Sequence, residues 1–380
     1  MFTIQPVNSF EKFLCNKAFS SETPICGTFE LLPICNMDCK MCYIRMSPNE
    51  MYQQGTPLSV DDWLRIGKEA ATSGCMFLLL TGGEPLLYPD FLKLYEGLRY
   101  LGIIITLNTN GTLIDKQIAE TFKHNQPRRV NISLYGASDN TYKALCGNPK
   151  GFTQVMNGIH LLLDVGIQVK INFTPTPQNY HDLEKVIEIT ENLNIPISTP
   201  TYMFPPERKP RKISSDSINR LSPQQAAKEQ LKVIRMAHPH VSDYIHYIKD
   251  TLENIKETEE EEVAPPGGLL CTAGVSSFWI NWKGDISPCG IIQKPARSLQ
   301  EYSFGEAWKA IKAETKKIFT SKKCFNCRFR KICKACGASS FAENHDFSLP
   351  ATYHCELNEA YEELLKKELK ELEQQKSTNQ

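Results

Sequence analysis

From Gly27 onward, short apolar runs alternate with longer stretches in which apolar residues recur at helical spacing. Strands are predicted over residues 27–33, 77–81, 103–108, 129–134, 168–173 and 196–202, and helices over 58–73, 90–101, 115–124, 139–145, 152–165 and 179–193. Six strand-helix units in that order imply an α/β fold, a parallel sheet with helices outside, closed partway into a (β/α)6 TIM-like barrel. The Asn110-Gly111 turn and Gly166, just before Ile167, supply stops where the pattern changes. In barrels of parallel strands, ligand-binding groups collect at the carboxyl ends of the strands.

Outside residues 27–204 the pattern changes. Residues 1–26 are too few for a module and are expected to wrap the barrel or lead into its first strand. Residues 205–270 read as a charged helical linker: a basic patch from Arg208 to Lys212, Ser222-Pro223 as an N-cap with proline at the first helical position, and an acidic run from Glu257 to Glu262. The basic patch suits a solvated linker or a surface that steers an acidic partner. Residues 271–355 form a small cysteine-rich domain. Residues 356–380 form a C-terminal amphipathic helix, with Leu357, Tyr361, Leu364, Leu365, Leu369 and Leu372 on one face.

Lysine plus arginine and aspartate plus glutamate number 43 each, so no basic excess points to a nucleic acid or an anionic membrane. Met1 to Phe13 lacks the apolar core of a signal peptide and no run is long enough to span a bilayer, so a cytoplasmic protein is expected. Fourteen cysteines in a chain of 380 residues have the spacing of metal sites rather than of a disulfide scaffold. Cys15, Cys26, Cys75 and Cys146 fall outside ligand-like groups and read as small buried hydrophobes.

Chemistry concentrates first at Cys35, Cys39 and Cys42, three thiols in eight residues directly after the first strand. A thiolate triad can hold three irons of a 4Fe-4S cube and leave the fourth iron without a protein ligand. Taken alone, the triad also suits a zinc knuckle or spare core thiols. The second predicted strand runs into Gly82, Gly83 and Glu84. Glycines allow backbone to approach a ligand closely, and a carboxylate accepts hydrogen bonds as a bound ammonium group requires.

CxxxCxxC followed by Thr81-Gly-Gly-Glu-Pro85 resembles the radical S-adenosylmethionine (SAM) superfamily. The resemblance implies that SAM chelates the open iron through its amino and carboxylate groups. One electron then splits it to methionine and a 5′-deoxyadenosyl radical, which takes a hydrogen from the substrate. It also implies that Gly82, Gly83 and Glu84 seat SAM, that the Asn108 and Ser133 regions meet its ribose and methionyl group, and that the segment after Lys170 meets its adenine. Local turn chemistry is the alternative role for Asn108 and Ser133. Two positions depart from the family: Cys146, where many relatives carry arginine, and Met41, where an aromatic residue is commoner.

Cys271, Cys289, Cys324, Cys327, Cys333, Cys336 and Cys355 resemble the SPASM domain, an auxiliary-cluster module of radical SAM enzymes that modify peptides and proteins. That resemblance gives one auxiliary iron-sulfur cluster, expected to be 4Fe-4S, to Cys324, Cys327, Cys333 and Cys355, and a second to Cys271, Cys289 and Cys336. Relatives with eight ligands have a cysteine where this chain has Ser277. The second cluster is therefore open at one iron, or filled there by serine, water or a substrate thiolate. The resemblance implies a peptide or protein substrate, modified by crosslinking, thioether formation or epimerisation as in the maturation of ribosomally made peptides, and a flavodoxin- or ferredoxin-type electron donor. Residues 1–26 leave no room for the winged-helix module that many peptide-modifying relatives carry. A sulfatase maturase is a rival, although its aspartate after the cysteine at 289 is Gly290 here. A small molecule such as a porphyrin is another, and a zinc-binding scaffold is the rival outside enzymes.

Overall fold

The computed structural model describes residues 9–205, 219–255, 268–269 and 271–378. The basic patch from Arg208 to Lys212 and the acidic run from Glu257 to Glu262 lie outside the described residues.

The strands are β1 (Cys26–Glu30), β2 (Phe77–Thr81), β3 (Ile104–Thr109), β4 (Arg129–Ser133), β5 (Val169–Asn172), β6 (Ile197–Ser198), β7 (Ser277–Ile280), β8 (Asp285–Ser287) and β9 (Arg297–Ser298). The first six are parallel and pair in sequence order from β6 to β1, forming an open partial barrel. The helices are α1 (Ser9–Ser20), α2 (Pro48–Gln54), α3 (Val60–Thr72), α4 (Phe91–Tyr100), α5 (Lys116–His124), α6 (Asp139–Cys146), α7 (Gly151–Asp164), α8 (Leu183–Asn192), α9 (Pro223–Ala237), α10 (Val241–Asn254), α11 (Phe304–Thr315), α12 (Lys322–Phe325), α13 (Gly337–Asn344) and α14 (Thr352–Thr378). All six predicted strands and their helices are present, displaced at their ends by a few residues. The last strand shrinks from seven residues to two, because only Ile197 and Ser198 find partners on β5.

Alternation along each strand sorts the side chains. Phe29, Leu78, Leu80, Ile105, Leu107, Val130, Ile132, Val169 and Ile171 are buried under the helices, with Trp63 of α3 stacked on Phe29 at 4.6 Å. The other set, including Thr28, Asn108, Asn131, Ser133, Lys170 and Asn172, is half-buried and polar, so the inner wall is built to meet something other than hydrocarbon. Side-chain caps fix where the helices start: Ser59 and Asp62 form a capping box on α3, and Ser222 accepts from the Gln225 N–H at 3.2 Å with Pro223 opening α9.

The C-terminal region does not hang from the barrel as a separate body. β7 pairs in parallel with β1, Cys26 against Ser277 through Phe29 against Ile280, and β8 and β9 continue the same nine-stranded sheet. These strands are too short for hydropathy alternation to show. α9 and α10, in the segment expected as a linker, pack on α14 through Ala227, Tyr244, Ile245, Ile248, Tyr361 and Leu365. α1 is pinned beneath the barrel by the ion pair of Glu11 with Arg128.

Gly27 marks the seam between β1 and β7: a Cβ there would lie 2.4 Å from the Phe278 ring and 3.1 Å from Leu78. Gly27→Val should therefore lower stability by about 1–3 kcal/mol through overpacking, read as a lower urea midpoint. Adding Phe278→Leu should recover part of the loss, and an unchanged midpoint in the single variant would contradict this packing.

Candidate active site

The loop after β1 carries Cys35, Cys39 and Cys42 and is held on two sides by backbone hydrogen bonds. On one side Gly83 N–H donates to Leu32 O (2.7 Å) and Glu84 N–H to Ile34 O (2.9 Å). On the other, Asp38 N–H donates to Cys146 O (2.9 Å) and Lys40 N–H to Leu145 O (3.0 Å), at the end of α6. A Cβ at Gly83 would lie 2.3 Å from Ile34 O, and one at Gly82 would lie 2.6 Å from Leu32 O. In the structure the backbone of the cysteine loop approaches the glycine pair this closely.

Glu84 is fully buried, and its carboxylate accepts from Asn110 N–H (2.7 Å), Thr109 Oγ1 (2.7 Å) and Leu86 N–H (3.1 Å). It joins the end of β2 to the end of β3. Asn110 then passes the connection on: its Nδ2 donates to Asn36 Oδ1 at 2.8 Å and lies 3.6 Å from Cys35 Sγ. Asn36 in turn donates to Thr112 Oγ1 at 2.9 Å.

The thiols are half-buried, and backbone N–H groups point at two of them, Met37 N to Cys35 Sγ (3.4 Å) and Arg45 N to Cys42 Sγ (3.2 Å). Burial pushes the Cys35 thiol up to about 12, with Glu84, Cys39 and Cys42 adding repulsion. The Cys39 thiol is pushed up too, first by a hydrogen bond with Cys146 and then by burial. Thiols that resist ionisation, as Cys35 and Cys39 do, suit a centre whose own positive charge stabilises the thiolates. With N–H donors already aimed at sulfur, this soft donor set fits an iron-sulfur cluster.

Asn108 and Ser133 lie on the half-buried inner face. Asn108 Oδ1 accepts from Asn131 Nδ2 at 2.7 Å across the β3–β4 ladder, so its partner is lateral and not within a turn. Sequence reasoning missed two neighbours of the triad. Cys146, read as a core thiol, contacts Cys39, and Tyr135 lies close enough to Cys39 and Cys42 for them to raise its phenol beyond the effect of burial. The available signal was position: Cys146 stands where relatives carry arginine, and Tyr135 follows the end of β4.

In the C-terminal region the thiols form two neighbourhoods. Burial and the nearby Cys324, Cys333 and Cys327 push Cys355 up to about 11, while Cys271 is raised by burial and by Cys336 and Cys289. Cys271, Cys324, Cys327, Cys333, Cys336 and Cys355 line a cavity of about 1130 Å³, and Cys289 lines a separate, smaller one. Among the described residues, no three His, Cys, Asp or Glu side chains close on a single metal-ion position. Tyr43, next to Cys42, packs against the apolar cluster that includes Cys289 and Cys336, bringing this thiol set toward the N-terminal triad.

A family profile described as the radical SAM superfamily matches residues 29–189. Residues 29–189 thus form a radical SAM domain. Across 335 residues the chain is 26% identical to an AdoMet-dependent heme synthase of Methanosarcina barkeri, a match covering 84% of this chain and 93% of that one. Its fold is similar to that of Streptococcus suis SuiB bound to the precursor peptide SuiA, with TM-score 0.63, 19% identity, and coverage of 92% of this chain and 82% of SuiB. It is similar also to anSMEcpe with bound AdoMet and the Cp18Cys peptide, with TM-score 0.67, 19% identity, and coverage of 91% and 98%. Among the described residues, no helix is long and apolar enough to cross a membrane.

Burial raises the Glu84 carboxyl from 4.5 to about 7, against three hydrogen bonds that lower it. The folded chain therefore keeps this proton to higher pH than the unfolded chain. Its contribution to stability is fully present below pH 4.5 and falls as pH rises to about 7. Glu84→Gln should abolish that slope and should itself cost about 1–3 kcal/mol, because its amide turns a donor toward another donor. Denaturant midpoints across this pH range check both. A variant with the wild-type slope would remove Glu84 from the account.

Proposed function

We propose that this chain is a radical SAM enzyme that oxidises its substrate by hydrogen abstraction, with Cys35, Cys39 and Cys42 holding the SAM-binding cluster and the C-terminal thiols holding two auxiliary clusters. When bound, the N-terminal cluster and SAM supply reductive cleavage of SAM and the radical that takes the hydrogen. The observation that carries this reading is the thiol loop fastened between Gly82–Glu84 and the end of α6, at the carboxyl end of a parallel barrel. The chain's own part is placement. Asn110 and Asn36 orient the Cys35 side of the loop, the apolar packing of Tyr43 keeps water from the side facing the second thiol set, and the polar inner wall of β3 to β5 receives SAM.

The substrate we favour is a peptide. Two solved structures of this fold hold peptides, and the chain spans nearly all of anSMEcpe. Formylglycine formation is the less favoured peptide reaction. An aspartate at 290 would serve proton removal, but a Cβ there would lie 2.8 Å from the Trp279 ring, so the indole occupies that space. A heme precursor is the second reading, favoured by sequence similarity to heme synthases over most of both chains. Cysteines at metal-site spacings suit a reducing compartment, so we take the enzyme to be cytoplasmic and its donor to be of flavodoxin or ferredoxin type.

Anaerobic incubation with SAM and reductant should release 5′-deoxyadenosine. Adding short peptides encoded beside the gene should yield a peptide changed in mass or carrying solvent deuterium. Modification of an iron porphyrin instead would select the second reading. The combined variant Cys35→Ala, Cys39→Ala, Cys42→Ala should lose SAM cleavage and roughly one third of its iron, as removal of one cube from three requires. SAM cleavage by that variant would end the proposal.

A further inference from the structure

The cluster assigned to Cys271, Cys289 and Cys336 has three thiols for four irons. We infer that His354 is its fourth protein ligand, binding through an imidazole nitrogen. The inference rests on the auxiliary-cluster reading above and deepens it, because it closes a site that the cysteine pattern leaves open.

Four observations converge on this side chain. His354 is 4% exposed, and its Nε2 has no hydrogen-bond partner among the described residues. A buried polar atom without a partner is destabilising, so a native chain that keeps one calls for an explanation. The ring also forms part of the wall of the same cavity that Cys271 and Cys336 line. The ring is held in place: it packs on Tyr202 at 4.1 Å between centroids, the Tyr202 hydroxyl donates to Glu343 at 2.8 Å, and Glu343 is clamped by both terminal nitrogens of Arg220. Finally, the aromatic wall leads to the right thiols. Phe204, edge-on to Tyr202 at 5.0 Å, packs on the apolar cluster containing Cys289 and Cys336.

Helix geometry separates His354 from its neighbour in sequence. Both it and Cys355 lie in the first turn of α14, where successive side chains diverge by ~100°. Cys355 faces Cys324, Cys327 and Cys333, which leaves His354 directed elsewhere. Ser277 fits the vacancy less well. Its hydroxyl is 3.0 Å from Thr272 Oγ1, and it is not among the described residues that line the cavity. Neutral imidazole is the commonest nitrogen ligand to metals, and histidine in place of cysteine on an iron-sulfur centre raises its potential. A cluster ligated in this way would be the better electron acceptor of the two.

The test uses the full chain reconstituted anaerobically with ferrous iron and sulfide. The variant Cys35→Ala, Cys39→Ala, Cys42→Ala isolates the C-terminal clusters. Iron and sulfide retained there confirm that these clusters exist, and their absence would overturn the cluster reading and this inference together. With iron retained, chain labelled with 15N-histidine should show a nitrogen hyperfine coupling in the reduced protein that Ser277→Ala keeps and His354→Gln loses. His354→Cys should hold as much iron as the parent, without the nitrogen coupling. A labelled parent with no such coupling, or a coupling that survives His354→Gln, would overturn the assignment while leaving the auxiliary clusters standing, and neither result depends on turnover.

Discussion

Everything at the catalytic end depends on how closely two pieces of backbone approach each other. Leu32 and Ile34 carbonyls accept from the Gly83 and Glu84 N–H groups across a gap that no Cβ could share. That contact fixes the loop that carries the three thiols, and the buried Glu84 carboxylate extends it to Thr109 and Asn110 on the next strand. Desolvating a carboxylate is expensive, and three hydrogen bonds offset it only in part. The arrangement joins β1, β2 and β3 at one level, where a cofactor would need its ligands held still.

The glycines and Glu84 belong to the motif that makes the family legible, yet their visible work is internal. Sequence reading located them correctly at a strand end and gave them a ligand to hold. In the structure they also hold the loop: a motif reports which residues are required, and close backbone packing imposes as strict a requirement as ligand contact. The position of Cys146 carries the same lesson, since a thiol with no ligand-like spacing turns out to touch Cys39 across more than a hundred residues of sequence.

Fold class and strand order were readable because β1 to β5 are covered by helices and the apolar positions repeat with the period of each element. Phe77–Thr81 is matched residue for residue, and α3 and α4 fall within two residues of expectation. What escaped was written in short segments. β7 has four residues and β8 three, too few for alternation to rise above the background, and their place beside β1 depends on pairing partners 250 residues away. The two thiol neighbourhoods were legible only through family resemblance, because spacing along a loop does not say which loops meet. His354 had no sequence signal at all beyond lying next to a cysteine.

The pairing of β1 with β7 gives the two halves a common ladder of backbone hydrogen bonds. Modules tied by a flexible strap can be exchanged between lineages and can drift apart in solution. Here, removing the C-terminal part would uncover a raw sheet edge beside the very strand that delivers the catalytic loop. The place of the C-terminal strands beside the strand that leads into the Cys35–Cys42 loop is thus set by backbone register rather than by a tether.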